Sequence, residues 1–224
     1  MGIDLKSFNG FIFDMDGLMF DTTNLAIYSW IKAGNTYGIP ISESIVIKSI
    51  GLDIHGAKKV FKKNLGKNFP YHEIRSLRLK YAQDFIEKNG IPVKKGLYEL
   101  IEFLDQKPVL KAVATSTERE RTEQFLLSAG VKEKFDLIVC GDDVSKGKPE
   151  PDIFITVSEK LNCKSNESVV LEDSANGILA ASRANMIPFL VFDVKKPDEN
   201  IEKLAEKTFN SLVEVRDFLQ KIDF

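Results

Sequence analysis

The sequence predicts a doubly wound parallel α/β sheet with an α-helical domain inserted into it. Three observations predict this. Short apolar runs of strand length recur along the chain, and each stops at a polar or acidic cluster. Apolar residues at helical spacing fill the segments between those runs. Residues 22–91 show helical periodicity with no buried strand among them. Strand–helix alternation with short polar loops is the pattern of a parallel sheet covered by helices.

The first run is Gly10-Phe11-Ile12-Phe13, which ends abruptly at Asp14-Met15-Asp16-Gly17. The helical stretch follows, with Leu25, Ile27, Tyr28 and Ile31, then Ala57, Val60 and Phe61, then Ile74, Leu77, Tyr81 and Phe85. Trp30 and Tyr28 are expected in its core. Gly90-Ile91-Pro92 marks the return to the sheet. The expected domains are therefore an α/β core over 1–21 and 92–224 and a helical cap over 22–91. Leu97, Leu100, Ile101 and Leu104 share one helix face. Val109 to Ala114 then runs into Thr115-Ser116-Thr117, with Lys111 as its one charged residue. A helix carrying Phe125, Leu126 and Ala129 leads to Leu137–Cys140 and Gly141-Asp142-Asp143. Ile153, Ile155, Val157 and Leu161 mark the next helix. Val169–Leu171 meets Glu172-Asp173-Ser174, the good helix formers of 175–184 follow, and Ile187–Phe192 reaches Asp193.

The chain of 224 residues is long enough for a medium domain and a smaller one. Its apolar fraction of 43% and charged fraction of 29% are those of a soluble globular protein. A net charge of −2 gives no global attraction to nucleic acid or to an anionic membrane. No run of eighteen apolar residues occurs, and Met1-Gly2-Ile3-Asp4-Leu5-Lys6 has neither an apolar stretch nor a cleavage site. Cys140 and Cys163 form no disulfide framework. A cytoplasmic monomer is expected.

In such sheets ligands bind outside the carboxyl ends of the strands, where the polar clusters fall. Asp14 and Asp16 are two apart, so on an extended end they share a face. One carboxylate can attack while its neighbour moves protons. An Asp-rich turn is the alternative. Thr115 and its neighbours can cradle a phosphate or cap the helix that begins near Glu118. Lys148 lies in Lys146-Gly147-Lys148-Pro149-Glu150-Pro151-Asp152, where two prolines stiffen the backbone. It can offset phosphoryl charge, or it can be an exposed basic turn. Glu172 and Asp173 suit a hard cation such as Mg²⁺, or Asp173 or Ser174 can cap the next helix.

Phe13-Asp14-Met15-Asp16-Gly17 with Asp21-Thr22 resembles the first motif of the haloacid dehalogenase-like (HAD) superfamily. Thr115-Ser116 resembles the second, Gly147-Lys148-Pro149-Glu150-Pro151-Asp152-Ile153-Phe154 the third, and Leu171-Glu172-Asp173-Ser174 with Gly177 the fourth. The match runs in order over almost the whole chain. It is nearest to the subgroup of β-phosphoglucomutase and small sugar-phosphate phosphatases with a helical cap. The resemblance implies a HAD-like Rossmannoid core and roles for single residues. Asp14 would attack phosphorus and form an aspartyl-phosphate. Asp16 would protonate the leaving oxygen and then activate water. Thr115, Ser116 and Lys148 would bind the substrate's phosphoryl group. Mg²⁺ would be held by Asp14, the main-chain carbonyl of Asp16 and Asp173, with Glu172 close by or ligating. The cap would close over the substrate.

The resemblance implies a Mg²⁺-dependent phosphatase acting on a small phosphorylated metabolite, a sugar phosphate or nucleoside monophosphate. The dehalogenase branch lacks a carboxylate at the position of Asp16. A phosphosugar mutase is the alternative. That branch carries a cap arginine soon after a glycine, where this chain reads Gly51-Leu52-Asp53-Ile54-His55, and an early cap histidine, where this chain has Ala26. A catalytically silent binding protein of the same fold is a further alternative; loss of a core residue would support it, and Asp14, Asp16, Lys148 and Asp173 are all present. Lys58–Lys63 read as the solvated face of a cap helix, with a Schiff-base lysine as the alternative; His55 and His72 read as surface or packing residues, and Arg119 as a solvated helix residue, each with substrate contact as the alternative.

Overall fold

The apolar run Gly10–Phe13 is the central strand, β1, of the computed structural model, which describes residues 8–194 and 196–222. Four helices follow it: α1 (Thr22–Thr36), α2 (Glu43–Ser49), α3 (Ile54–Leu65) and α4 (Tyr71–Asn89). The chain then continues through α5 (Leu97–Asp105), β2 (Leu110–Ala114), α6 (Arg119–Ser128), β3 (Leu137–Val139) and α7 (Asp152–Leu161). It ends with β4 (Ser168–Glu172), α8 (Ala175–Arg183), β5 (Ile187–Val191), α9 (Glu199–Glu202), β6 (Lys207–Phe209) and α10 (Leu212–Lys221). The class expected from the sequence is the class found: a parallel α/β sheet with a helical insert between β1 and β2.

The strands lie in the order β3-β2-β1-β4-β5-β6, with every pair parallel. The chain moves outward from β1 through β2 to β3, then returns to β4 on the other side of β1. This reversal makes the carboxyl end of β1 a switch point, where adjoining loops diverge and leave a crevice. Alternate residues of a strand face opposite sides. Ile12, Ala112, Ala114 and Val170 thus share one cluster with Ile153, Phe154 and Val157 of α7 and Ala180 and Ala181 of α8. β5 and β6 join the aromatic packing, because Phe189 and Phe209 both meet the ring of Phe218 on α10.

The chain divides into two compact units: one runs to Phe20 and resumes at Val93, and the other is Asp21–Pro92. Within the second, Trp30 stacks on Phe61 at 4.2 Å between ring centroids, and Phe69 and Tyr71 complete the cluster. Burying such rings is what stabilises a small helical unit, because each removes a large apolar area from water.

Three side chains differ from their sequence expectation. Tyr28 is 46% exposed on α1, while Trp30 is buried. Ile155 is 40% exposed on α7, because Phe154 takes the inward place between Ile153 and Val157. Arg119 keeps 39% of its side chain exposed but is also anchored: it donates to the carbonyl of Ile138 at 3.2 Å and pairs with Asp143. The short strand β6 and the helix α2 carry too few periodic apolar residues to stand out in the sequence.

Candidate active site

Three adjacent strand ends bring the predicted acids together. Asp14 follows β1, Thr115 follows β2, and Glu172 ends β4 with Asp173 beside it. Sheet bonding sets their level: Phe13 is in register with Val113 and with Leu171, and the Asp14 N–H donates to the Leu171 carbonyl at 3.0 Å.

Lys148 is the hub of the cluster. Its ammonium donates to Asp14 Oδ1 at 2.5 Å, to Glu172 Oε1 at 2.6 Å and to the Ala114 carbonyl at 2.9 Å. Its side chain is only 5% exposed, so the basic turn read from the sequence aims this lysine inward. Burial opposes its charge, yet the carboxylates of Asp14 and Glu172 hold its pKa above the ordinary lysine range.

Glu172 is fully buried, and both its oxygens are engaged. Oε1 takes Lys148, while Oε2 accepts the Ser174 N–H at 3.0 Å and its hydroxyl at 2.9 Å. The neighbouring helix leaves room for this acid only because residue 177 is glycine. A β-carbon there would overlap the Glu172 carboxylate. Ser174 also caps α8, its hydroxyl accepting from the Gly177 N–H at 3.0 Å. The capping role and the acid cluster therefore coexist in this loop.

Asp16 is half-buried, and its Oδ2 accepts the hydroxyl of Thr117 at 2.6 Å. The Thr117 N–H donates in turn to Thr115 Oγ1 at 3.1 Å. Thr115 is buried. No residue of 115–117 caps α6, whose N-cap is Glu118. Ser116 is exposed, and its carbonyl packs so close to Gly141 that a β-carbon there would overlap it. Gly17 turns the chain with φ +89°, and a side chain there would run into Asp173.

The cluster is short of positive charge. Burial, then repulsion from Glu172, pushes the Asp14 carboxyl up to about 8 despite Lys148. Burial, then Glu172, Asp14 and Asp193, raises Asp173 well above the carboxylate range. Asp173 Oδ1 is buried with no hydrogen-bond partner among the described residues. Carboxylate oxygens of Asp14, Glu172 and Asp173 lie within 4.8 Å of one another, those of Glu172 already engaged by Lys148 and Ser174. An orphaned buried carboxylate oxygen among acids is costly unless a cation meets it, and oxygen ligands suit a hard divalent ion. The residues present fit Mg²⁺.

Two participants escaped the sequence reading. Thr117 is the third hydroxyl of Thr-Ser-Thr and meets Asp16 across 101 positions. Asp193 ends the fifth apolar run, as Asp14 ends the first, and it pairs with Lys94 at 2.7 Å. The strand-end pattern pointed to Asp193, but nothing local pointed to its partner. A second group, Cys140, Asp142 and Asp143, is compact. Its Asp143 is already met by Arg119 and by the Cys140 N–H.

The chain matches the haloacid dehalogenase-like hydrolase family over residues 11–191, which includes all of these strand ends. It belongs to that family. The hydrolase is 30% identical over 188 residues to a phosphorylated carbohydrates phosphatase of Thermotoga maritima, covering 78% of this chain and 81% of the relative. It is 28% identical over 208 residues to a validoxylamine A 7'-phosphate phosphatase of Streptomyces hygroscopicus subsp. limoneus, covering 92% and 94%. A solved HAD family hydrolase of Deinococcus radiodurans, crystallised with phosphate and sodium, shares its fold with a TM-score of 0.84 at 21% identity, covering 97% of each chain.

Proposed function

We propose that this hydrolase is a Mg²⁺-dependent phosphatase that cleaves the phosphate monoester of a small phosphorylated carbohydrate. The observation that carries the reading is the buried Lys148 joined to Asp14 and Glu172 at the switch point, with Asp16 two residues beyond Asp14. Two relatives, one named a phosphorylated carbohydrates phosphatase and the other a validoxylamine A 7'-phosphate phosphatase, support the choice of substrate class.

Asp14 attacks phosphorus as its carboxylate, and the bond to the leaving alcohol breaks while Asp16 gives that oxygen its proton. Water then attacks the aspartyl-phosphate, Asp16 takes a proton from it, and phosphate leaves with Asp14 restored. Thr115, Ser116 and Lys148 bind the phosphoryl oxygens. Asp14, Asp173 and the Asp16 carbonyl would hold Mg²⁺, which would lower the repulsion between an anionic nucleophile and an anionic ester. Glu172 keeps Lys148 in place, since both its oxygens are spent.

Thr117 aims the Asp16 carboxylate. A hydrogen bond to a charged group contributes about 1.5–3 kcal/mol, so Thr117→Val is expected to lower kcat by about 10- to 100-fold with KM little changed. Thr117→Ser restores most of the rate. Equal loss in both variants, or a loss confined to KM, would remove Thr117 from this role.

Raised acids also fix the sign of the metal's pH dependence. A carboxyl whose folded pKa is raised keeps a proton that the unfolded chain releases, so its contribution to stability is lost as pH rises from about 4 towards 8. Mg²⁺ competes with those protons. Its thermal stabilisation is therefore expected to be larger at pH 8.5 than at pH 6, by about 1–3 kcal/mol at saturating metal. Thermal unfolding with and without Mg²⁺ at both pH values measures this, and an equal shift at the two would contradict it.

The overall reading is tested by phosphate release from a panel of sugar phosphates, polyol phosphates and nucleoside monophosphates with Mg²⁺. Release from the carbohydrate esters is expected to dominate. No release from any ester would refute the phosphatase, and preferred nucleotides would refute the substrate class.

A further inference from the structure

We propose that the helical insert carries a second anion site, on α3, that takes a soluble linear oligophosphate. The site is a groove of about 630 Å³ lined by His55, Lys58, Lys59, Lys62, Lys63 and Lys67, with Gly66 at its end and no carboxylate in its wall among the described residues. Nothing in the proposed hydrolysis uses it, and it lies wholly within the unit Asp21–Pro92.

Charge is distributed unevenly along the chain. Residues 21–92 hold eleven Lys and Arg against six Asp and Glu, a formal +5, in a chain whose total is −2. The rest therefore carries −7. Five of the eleven cations fall within ten consecutive residues, Lys58 to Lys67, where no acid occurs.

The helix places these lysines against one another. Lys58 with Lys62, and Lys59 with Lys63, are four apart and neighbours on the surface of α3. Like charges at that spacing destabilise a helix. The partial negative charge at the C-terminus of α3 offsets Lys62 and Lys63. It does not reach Lys58 and Lys59, and Lys67 lies beyond the helix. None of the five is in an ion pair with a described residue. The acid that precedes α3, Asp53, is spent on its N-cap, accepting the Gly56 N–H at 2.7 Å. The groove thus holds uncompensated cations that an anion would neutralise.

The volume of the groove fits a small anion. Ligand pockets fall at about 300–1,000 Å³, and this groove is within that range. Lys58 and Lys62 are half-buried, while Lys59, Lys63 and Lys67 are exposed, so charges meet a ligand from the wall and from the rim. Lys58 is also positioned: its Nζ lies 2.9 Å from Nε2 of His72. Lysine ammoniums act on phosphate as point charges, and several in a row match successive phosphates of one chain.

Titration calorimetry of the full chain with tripolyphosphate tests the proposal, in metal-free buffer and at two salt concentrations. Binding is expected, and it should weaken steeply between about 50 and 200 mM salt as counterions compete. Lys58→Gln with Lys62→Gln should lower the affinity at least tenfold, and Lys59→Gln with Lys63→Gln should lower it similarly. Lys80→Gln with Lys88→Gln, which changes cations of the same unit outside the groove, should leave binding unchanged. All are surface substitutions, and unfolding curves check that each variant folds. The proposal is overturned if the wild type does not bind tripolyphosphate, if the groove variants bind it as tightly as the wild type, or if RNA or anionic lipid vesicles bind the groove lysines more tightly. The readout is binding, so it stands or falls separately from phosphatase turnover.

Discussion

Asp14→Asn is expected to lower phosphate release on the order of 10⁴-fold or more, the scale of losing a nucleophile. The amide keeps the shape of the side chain but cannot form the aspartyl-phosphate. The same change should leave the metal-free protein as stable as the parent, or more so. Burial and Glu172 disfavour the ionised Asp14, and the amide has no ionised form to be penalised. Lys148 retains Glu172 as its partner at 2.6 Å. Activity and stability should therefore separate, as they do where a site is held in a locally unfavourable state for function. Kinetic assay beside a thermal melt measures both. Turnover near the parent's would refute the nucleophile, and a large fall in stability would show that Asp14 is structural.

Lys148→Met should cost stability as well as activity. Lys148 is buried between two carboxylates, and removing one member of a buried ion group leaves uncompensated charge, a loss of about 3–5 kcal/mol. Asp14 will answer by taking up a proton, so the loss should shrink as pH falls. Pairing the change with Glu172→Gln removes the stranded charge and should recover part of the stability without restoring turnover. Loss of the ammonium should lower kcat by about 10²–10³-fold, the range found on removing a transition-state hydrogen-bond donor. Denaturant unfolding of the parent, both single variants and the double variant gives the coupling between the two residues. A coupling near zero would contradict the buried hub.

Much of the architecture was legible before any coordinates. Gly10–Phe13 and Val169–Leu171 are apolar runs without alternation, as strands buried on both faces must be, and each stops at its acids. The insert was legible by contrast, because residues 22–91 repeat at helical spacing and never form such a run. β6 was not, since Lys207-Thr208-Phe209 offers one buried apolar residue in three, as an edge strand can. Nor was the inward turn of Phe154 in place of Ile155, because both are apolar and only packing against the sheet selects between them.

By itself the sequence determined the residue types, their order and their place at strand ends, because strand period, loop chemistry and motif spacing are local properties of a chain. Only the tertiary structure decided what these residues do to one another. It placed Lys148 between Asp14 and Glu172, spent both oxygens of Glu172, left Asp173 Oδ1 without a hydrogen-bond partner among the described residues, and joined Thr117 to Asp16. The physical reason is that charge pairing and desolvation depend on distance and burial. Those are set when parallel strands far apart in sequence are brought into register around β1.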